Sequence, residues 1–526
     1  MKKLLVCAST LCLLLAGTGC GADTPADQVT VGLATFSAEQ VDPSLDQTAG
    51  LNYSGPMFDW LIGATPDGAL SPATGALESW TPDADATTWT LRLRPGMTWH
   101  DGSPVTARDV AFTLRHFTAP EAICSSCVAL RSAIRDIAVT DPRTTVLTLT
   151  DPTVTLPSTL GPIEGDIKLL PENYYNTVGA KGFSEHPIGS GPWKFAGKRA
   201  GESITFERND RYWDRARVPG FRLLSVQLVP DLTARTLMIG DGSLDVAAVD
   251  PNDVPPLRAD GTTIHSVEDV GYTALMFFRA QDPQFLTGNR DFRAALAHSV
   301  DWDTVIESFY PEGVGKRHTG GAVPFASTTS GARADLAPYR YDPEAARREL
   351  RAAGYAGQQL TLYNYSFNLN PEQPTVNEVI AGYWRALGIT VKLVPVDWGT
   401  IRQWQLQDPP AFDPPAAAGV QAPSTRPSVL NNMRTFMLSH RDGGSIDAYP
   451  NPDWIGTQFR QISSIVDEGA RDTRLRELNR KLYDDYWSIP IAETSLPFAV
   501  GDRVSSWTPT NGSPNDLAYE TLTPAG

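Results

Sequence analysis

Residues 88–94, TWTLRLR, alternate apolar Trp89, Leu91 and Leu93 with polar neighbours, which predicts a strand buried on one face. The two-residue period returns at 144–150 (TTVLTLT), 203–208 (SITFER), 223–230 (LLSVQLVP) and 389–396 (ITVKLVPV). Elsewhere the apolar spacing is helical. Val110, Leu114 and Phe117 follow Thr106, an N-cap with Asp109 at the reciprocal capping-box position. Asp342-Pro343 caps and opens a helix that Gly354 ends. Residues 291–300 and 475–487 are amphipathic, and Asp301 can cap a helix through WDTVIESF. Strands and helices mix without the regular alternation of a barrel, and no internal repeat is present, so the class is α/β. The Pro/Ala-rich stretch 407–427 reads as a long loop or partly ordered insert, of the kind that lines binding clefts.

The chain has 526 residues. One core rarely grows past about 250–300 residues, so two or more lobes are expected. The net charge is −16, and −18 once a leader carrying Lys2 and Lys3 is removed. No basic run offsets it, which excludes nucleic acid as a partner. The opening MKKLLVCASTLCLLLAGTGC has two lysines, an apolar stretch and small residues ending at Cys20, the layout of an export signal. A cysteine directly after such a site predicts lipidation of Cys20 and a polar tether over 20–27, although position −3 is Gly17 where leucine is usual. Soluble secretion after ordinary cleavage is the other reading. Beyond the signal only Cys124 and Cys127 remain, and C-x-x-C in an exported protein predicts a small-loop disulfide. A zinc site would need more ligands, and the seven histidines are scattered, so no metal and no cofactor are expected.

Enzyme signatures are scarce. The chain has no G-x-S-x-G elbow, S-x-x-K, H-E-x-x-H or Walker A pattern. GSGPW at 189–193 lacks the third glycine of a dinucleotide loop and reads as a tight connection. His100 beside Asp101 invites a catalytic reading. The turn signals Pro95-Gly96, Asp101-Gly102 and Ser103-Pro104 place His100 in a turn, while Asp109 completes a cap. Both are read as structural, and replacing His100 is expected to cost little stability.

Several segments together resemble one family, the extracytoplasmic solute-binding proteins of ABC transporters that include dipeptide, oligopeptide and nickel binders. These are WTLRLRPGMTWHDGSPVTARDVAFTL (89–114), PIGSGPWKF (187–195), RNDRYWD (208–214), VQLVPDLTARTLMIGDGSLDVA (226–247), FRAALAHSVDWDTVI (292–306) and YDPEAARRELRAAGY (341–355). They run in family order over nearly the whole mature chain. The resemblance implies a two-lobed periplasmic-binding-protein-like fold that closes on its ligand, with an extra subdomain inserted in the first lobe. Carried onto this sequence, 1–19 is the signal, 28–61, 187–267 and 490–526 form lobe I, 62–186 the inserted subdomain and 268–489 lobe II.

The function so implied is capture of a small polar solute, peptide-like, a sugar or an anionic metabolite. A lipid-anchored monomer on the outer face of the cell membrane would deliver it to an ABC permease. No catalysis is expected. Candidate ligand contacts are Tyr53, Ser190, Tyr272, Trp398, Trp404 and Arg426, since aromatic walls with a few polar groups suit such pockets. Peptide-binding members pair the ligand's α-ammonium with an aspartate after a Phe-Asp; here Phe412-Asp413 is followed by Gln421-Ala-Pro-Ser-Thr-Arg426-Pro, with no acid. Either Asp413 or Asp447 substitutes, or the ligand lacks a free amine. Two rival readings are a non-transport lipoprotein of this fold and an extracytoplasmic hydrolase, which would need a nucleophile or metal.

Overall fold

Thr88–Leu93 folds as a strand with Trp89, Leu91 and Leu93 turned into the core. In the computed structural model, residues 27–46, 50–124, 126–278, 285–365, 372–405, 417–421, 428–438 and 453–526 are described. The strand belongs to a four-stranded antiparallel sheet ordered Leu77–Pro82, Thr88–Leu93, Thr144–Leu149, Ile134–Asp141. Helix Ala107–Thr118 covers it with Val110, Ala111, Leu114 and Phe117. Asp109 accepts from Thr106 N–H at 2.8 Å, as its capping position requires, and from Glu172 N–H at 3.0 Å.

Two long antiparallel strands, Thr263–Phe278 and Ser488–Val500, join the lobes. They pair from Thr263 opposite Val500 to Met276 opposite Ser488, with a register break between Val267 and Gly271. On one side the sheet continues through Val246–Ala248, Gln28–Leu33, Leu223–Leu228, Ser203–Arg208 and Trp193–Arg199. On the other it continues through Ala417–Gln421, Gln359–Asn364 and Thr390–Pro395. The stretch 407–427 therefore contributes a strand, Ala417–Gln421.

Strand directions decide where a site can lie. Val246–Ala248 runs antiparallel to Ser488–Val500, and Ala417–Gln421 antiparallel to Thr263–Phe278. Their parallel partners are Gln28–Leu33 in the first lobe and Gln359–Asn364 and Thr390–Pro395 in the second. The carboxyl ends of both parallel sets thus point at the middle of the two long strands, the kind of position where open α/β sheets bind ligands.

Val29, Val31, Leu224 and Val226 of the first lobe share one continuous core with Trp89, Leu91, Leu114 and Leu147 of the four-stranded unit. A jointly packed core ties that unit to the first lobe. In the second lobe the helices Val429–Phe436, Asp453–Ser463 and Glu468–Asp484 pack through Leu430, Met433, Ile455, Leu478 and Leu482, while another core joins Phe292, Leu360 and Val376 of that lobe to Leu244, Ala247 and Val254 of the first. Among the described residues no helix is long and apolar enough to cross a membrane.

Candidate functional site

Where the carboxyl ends converge, an aromatic cluster forms on the second-lobe side. Tyr272, Ala274 and Met276 alternate along one long strand and so share a face. Tyr363 and Tyr365, at the end of Gln359–Asn364 and just past it, join them with Val323 and Ile401, flanked by Trp404 and Phe436. Trp404, on helix Trp398–Gln405, tilts against Tyr363 with ring centroids 5.5 Å apart. The Tyr272 hydroxyl is buried with no hydrogen-bond partner among the described residues, and burial raises its pKa. An unpaired buried hydroxyl is costly, which makes Tyr272 a candidate ligand contact.

Behind Tyr272 lies a buried acid that is already occupied. Glu493 faces Tyr272 across the ladder and accepts from Thr319 N–H at 3.1 Å, Ser327 N–H at 2.9 Å and the Ser327 hydroxyl at 2.5 Å. Lys316 Nζ lies 3.5 Å away and His318 Nδ1 3.7 Å away. Burial pushes Glu493 up, but His318 and these donors outweigh it and its pKa falls below the ordinary value. Burial holds the His318 pKa down, and its Nε2–H donates to the Phe325 carbonyl at 3.1 Å. Glu493 is thus engaged from several sides and is not available to a ligand ammonium.

On the first lobe, Phe36 and Tyr53 stand in the segment after Gln28–Leu33, rings 4.5 Å apart, with the Tyr53 hydroxyl buried and unpartnered among the described residues. Ser190 lies elsewhere. It is fully buried beside Asp59, at the far edge of the sheet where Trp193–Arg199 begins. Burial raises the Asp59 pKa against the Tyr212 and Trp213 donors, with Tyr212 Oη at 2.7 Å and Trp213 Nε1 at 3.2 Å. Nearby Lys168 sits over the Trp60 ring at 3.6 Å, and burial lowers its pKa to about 8. The glycines flanking Ser190 are forced: a Cβ on Gly189 would stand 1.8 Å from the Met57 carbonyl oxygen.

The match to known proteins covers the same ground. The family model for the bacterial extracellular solute-binding proteins, family 5, middle region, matches residues 71–435. The chain belongs to that family. It is 29% identical over 521 residues to a probable peptide ABC transporter periplasmic-binding protein of Sinorhizobium fredii, covering 94% of this chain and 93% of the relative. It is 23% identical over 464 residues to the nickel-binding periplasmic protein of Escherichia coli, covering 84% of each. Among solved structures, HbpA2 from Haemophilus parasuis superposes with a TM-score of 0.80 at 19% identity, over 95% of this chain and all of that one, and supports the two-lobed fold.

Within this family-5 fold, the residues singled out from sequence separate. Tyr272 and Trp404 meet in the boundary cluster, while Tyr53 stands on the opposing lobe. Trp398 opens its helix, and its side chain lies outside the described residues, as do Cys20, Asp413, Arg426 and Asp447. Cys124 and Cys127 are joined by a disulfide, Cα atoms 5.1 Å apart. Among the described residues no group of three or more His, Cys, Asp or Glu is placed to hold a metal. Sequence reasoning missed Tyr363, Tyr365 and Phe436, although Tyr-x-Tyr at a strand end was a readable signal.

His100 stands in the turn that the sequence predicts, and it is tied down there. It is no exposed turn residue: Gly189 N–H donates to its Nδ1 at 3.1 Å, and its Nε2–H donates to the Gly191 carbonyl at 3.1 Å. It is structural and half-buried, because the turn packs onto the GSGPW crossing.

Proposed function

We propose that this protein is the substrate-binding component of an ABC importer, anchored by lipid at Cys20, capturing a small polar solute between its lobes. The division into lobe I, inserted subdomain 62–186 and lobe II follows the sequence boundaries above, and the function is capture and delivery to a permease, with no chemical step. The observation that carries the reading is the convergence of strand carboxyl ends from both lobes on Tyr272, Tyr363 and Tyr365. Peptide is what the Sinorhizobium relative's name specifies and nickel the Escherichia one's, so the family accommodates more than one ligand class.

The ligand is a polar solute without a free α-ammonium. An ammonium buried without a counter-charge costs several kcal/mol, Glu493 is already engaged, and the segment 421–427 carries Arg426 and no acid. The test is a thermal-shift screen with free di- and tripeptides, their N-acetylated forms, sugars and organic anions. A ligand at ~100 times its Kd adds ~2.7 kcal/mol, a readable rise in Tm. Solutes lacking the amine should raise Tm. If free peptides do so and N-acetylated ones do not, Asp413 or Asp447 becomes the ammonium partner and this ligand class is wrong.

A further inference from the structure

The inserted subdomain reaches the second lobe at one helix. Glu164 accepts from the Ser428 N–H and from the Asn431 side-chain amide, 264 and 267 residues away in sequence. Ser428 is the N-cap of Val429–Phe436, its hydroxyl accepting from Asn431 N–H at 3.2 Å. Glu164 therefore places its carboxylate at a helix N-terminus, where negative charge is favoured. Two further contacts meet the same lobe from the same side. Val154 packs against the core that holds Val429, Leu430 and Met433, and Asp151 acts on Arg434 in the same helix.

The loop presenting Glu164 is stiff. Gly165 has no room for a side chain, since a Cβ would stand 1.8 Å from the Thr159 carbonyl oxygen. Asp166 accepts from Ser126 N–H at 2.9 Å, inside the Cys124–Cys127 loop, and the Pro162 carbonyl accepts from Ser513 at 2.8 Å. Because the subdomain shares its core with the first lobe, a bond from Glu164 to Val429–Phe436 spans the two bodies that close.

We propose that Glu164 is a positioning residue, a latch by which the inserted subdomain holds the second lobe in the closed relation. It adjoins the helix that follows segment 422–427 and makes capture depend on a contact outside the aromatic cluster. This rests on the capture reading above. Closure is therefore measured without any solute, so that the two ideas fail separately.

The experiment is a pulsed electron-spin distance measurement on leaderless protein carrying nitroxides at Ala180→Cys and Gln461→Cys, both exposed positions. The starting protein should show a populated short distance. Glu164→Gln and Glu164→Ala should lower the ratio of short to long distance on the order of tenfold, the effect of losing a charged helix cap. Asn431→Asp, which sets carboxylate against carboxylate, should do the same. Combining Glu164→Gln with Asn431→Asp reverses the bond, Gln donating to Asp, and should restore the short distance; a purely structural glutamate would show no such rescue. Thermal melts confirm that each variant is folded. Single variants with the starting distribution, or a double variant without recovery, overturn the latch. If the ratio responds as expected but no solute in the thermal-shift panel moves Tm, the latch stands and the capture reading fails.

Discussion

His100 ties the inserted subdomain to the glycine crossing through both ring nitrogens. The Gly189 N–H can be accepted only by an unprotonated Nδ1, so the folded protein holds this imidazole neutral. Burial is the largest cause, Lys194 adds to it, and the pKa falls to about 4. The folded pKa is depressed, so the unfolded chain takes up the proton first. The contribution is whole above the unfolded value near 6.5 and is lost as pH falls toward 4. The shift caps the loss on the order of 3 kcal/mol. We expect urea unfolding free energies at pH 7 and pH 4.5 to differ more in the native protein than in His100→Ala. That variant should itself cost about 2 kcal/mol at pH 7 through two lost, half-buried hydrogen bonds. Equal pH slopes would show that His100 is not the titrating group. Tyr272 predicts the opposite pattern. Its hydroxyl has no partner among the described residues, so Tyr272→Phe should leave Tm unchanged or raised. Solute affinity should drop about tenfold by isothermal titration, the loss of one ligand hydrogen bond. Unchanged affinity removes Tyr272 from the site.

At the scale of elements, helix Arg290–His298 locks onto the end of helix Glu468–Asp484. Arg293 is almost wholly buried and donates to the carbonyls of Tyr486 at 2.9 Å, Asp485 at 2.6 Å and Thr287 at 2.9 Å. Two of these carbonyls close the helix C-terminus, where a cation is favoured. A lysine carries the charge but not the planar fork. Arg293→Lys should therefore cost about 2–4 kcal/mol, with the penalty of unpaired buried carbonyls outweighing the retained charge. Denaturant midpoints check this, and a loss below about 1 kcal/mol would mean that charge alone holds the joint. The capped helices at Thr106, Asp301 and Asp342 were legible from sequence because a cap is a local matter of three or four residues. The strand Ala417–Gln421 was not, because its small residues carry no alternation and its pairing with Met276 and Tyr363 is distant in the chain.

At the scale of the whole molecule, the proposed anchor lies outside the described residues. The apolar leader and Cys20 precede the first described strand, Gln28–Leu33. Cys20→Ser should therefore abolish membrane association without moving Tm. One acyl chain binds membranes only marginally, so the several chains of a lipoprotein are what such anchoring requires. Persistence of the Cys20→Ser protein in salt-washed membranes would show that Cys20 lipidation is not the anchor.

The family, the α/β class and most scaffold elements were written in the sequence, since strand alternation, caps and turn glycines act over a few residues. The site was legible only in part. Tyr272 and Trp404 could be picked as aromatics in or after apolar stretches, but nothing local told them from Ser190, which the fold buries beside Asp59. Only the tertiary structure decided which strand ends face one another, that Glu493 is already paired, and that Glu164 meets a helix 264 residues further along the chain. Those outcomes depend on long-range register and on shared cores, and no window of sequence contains them.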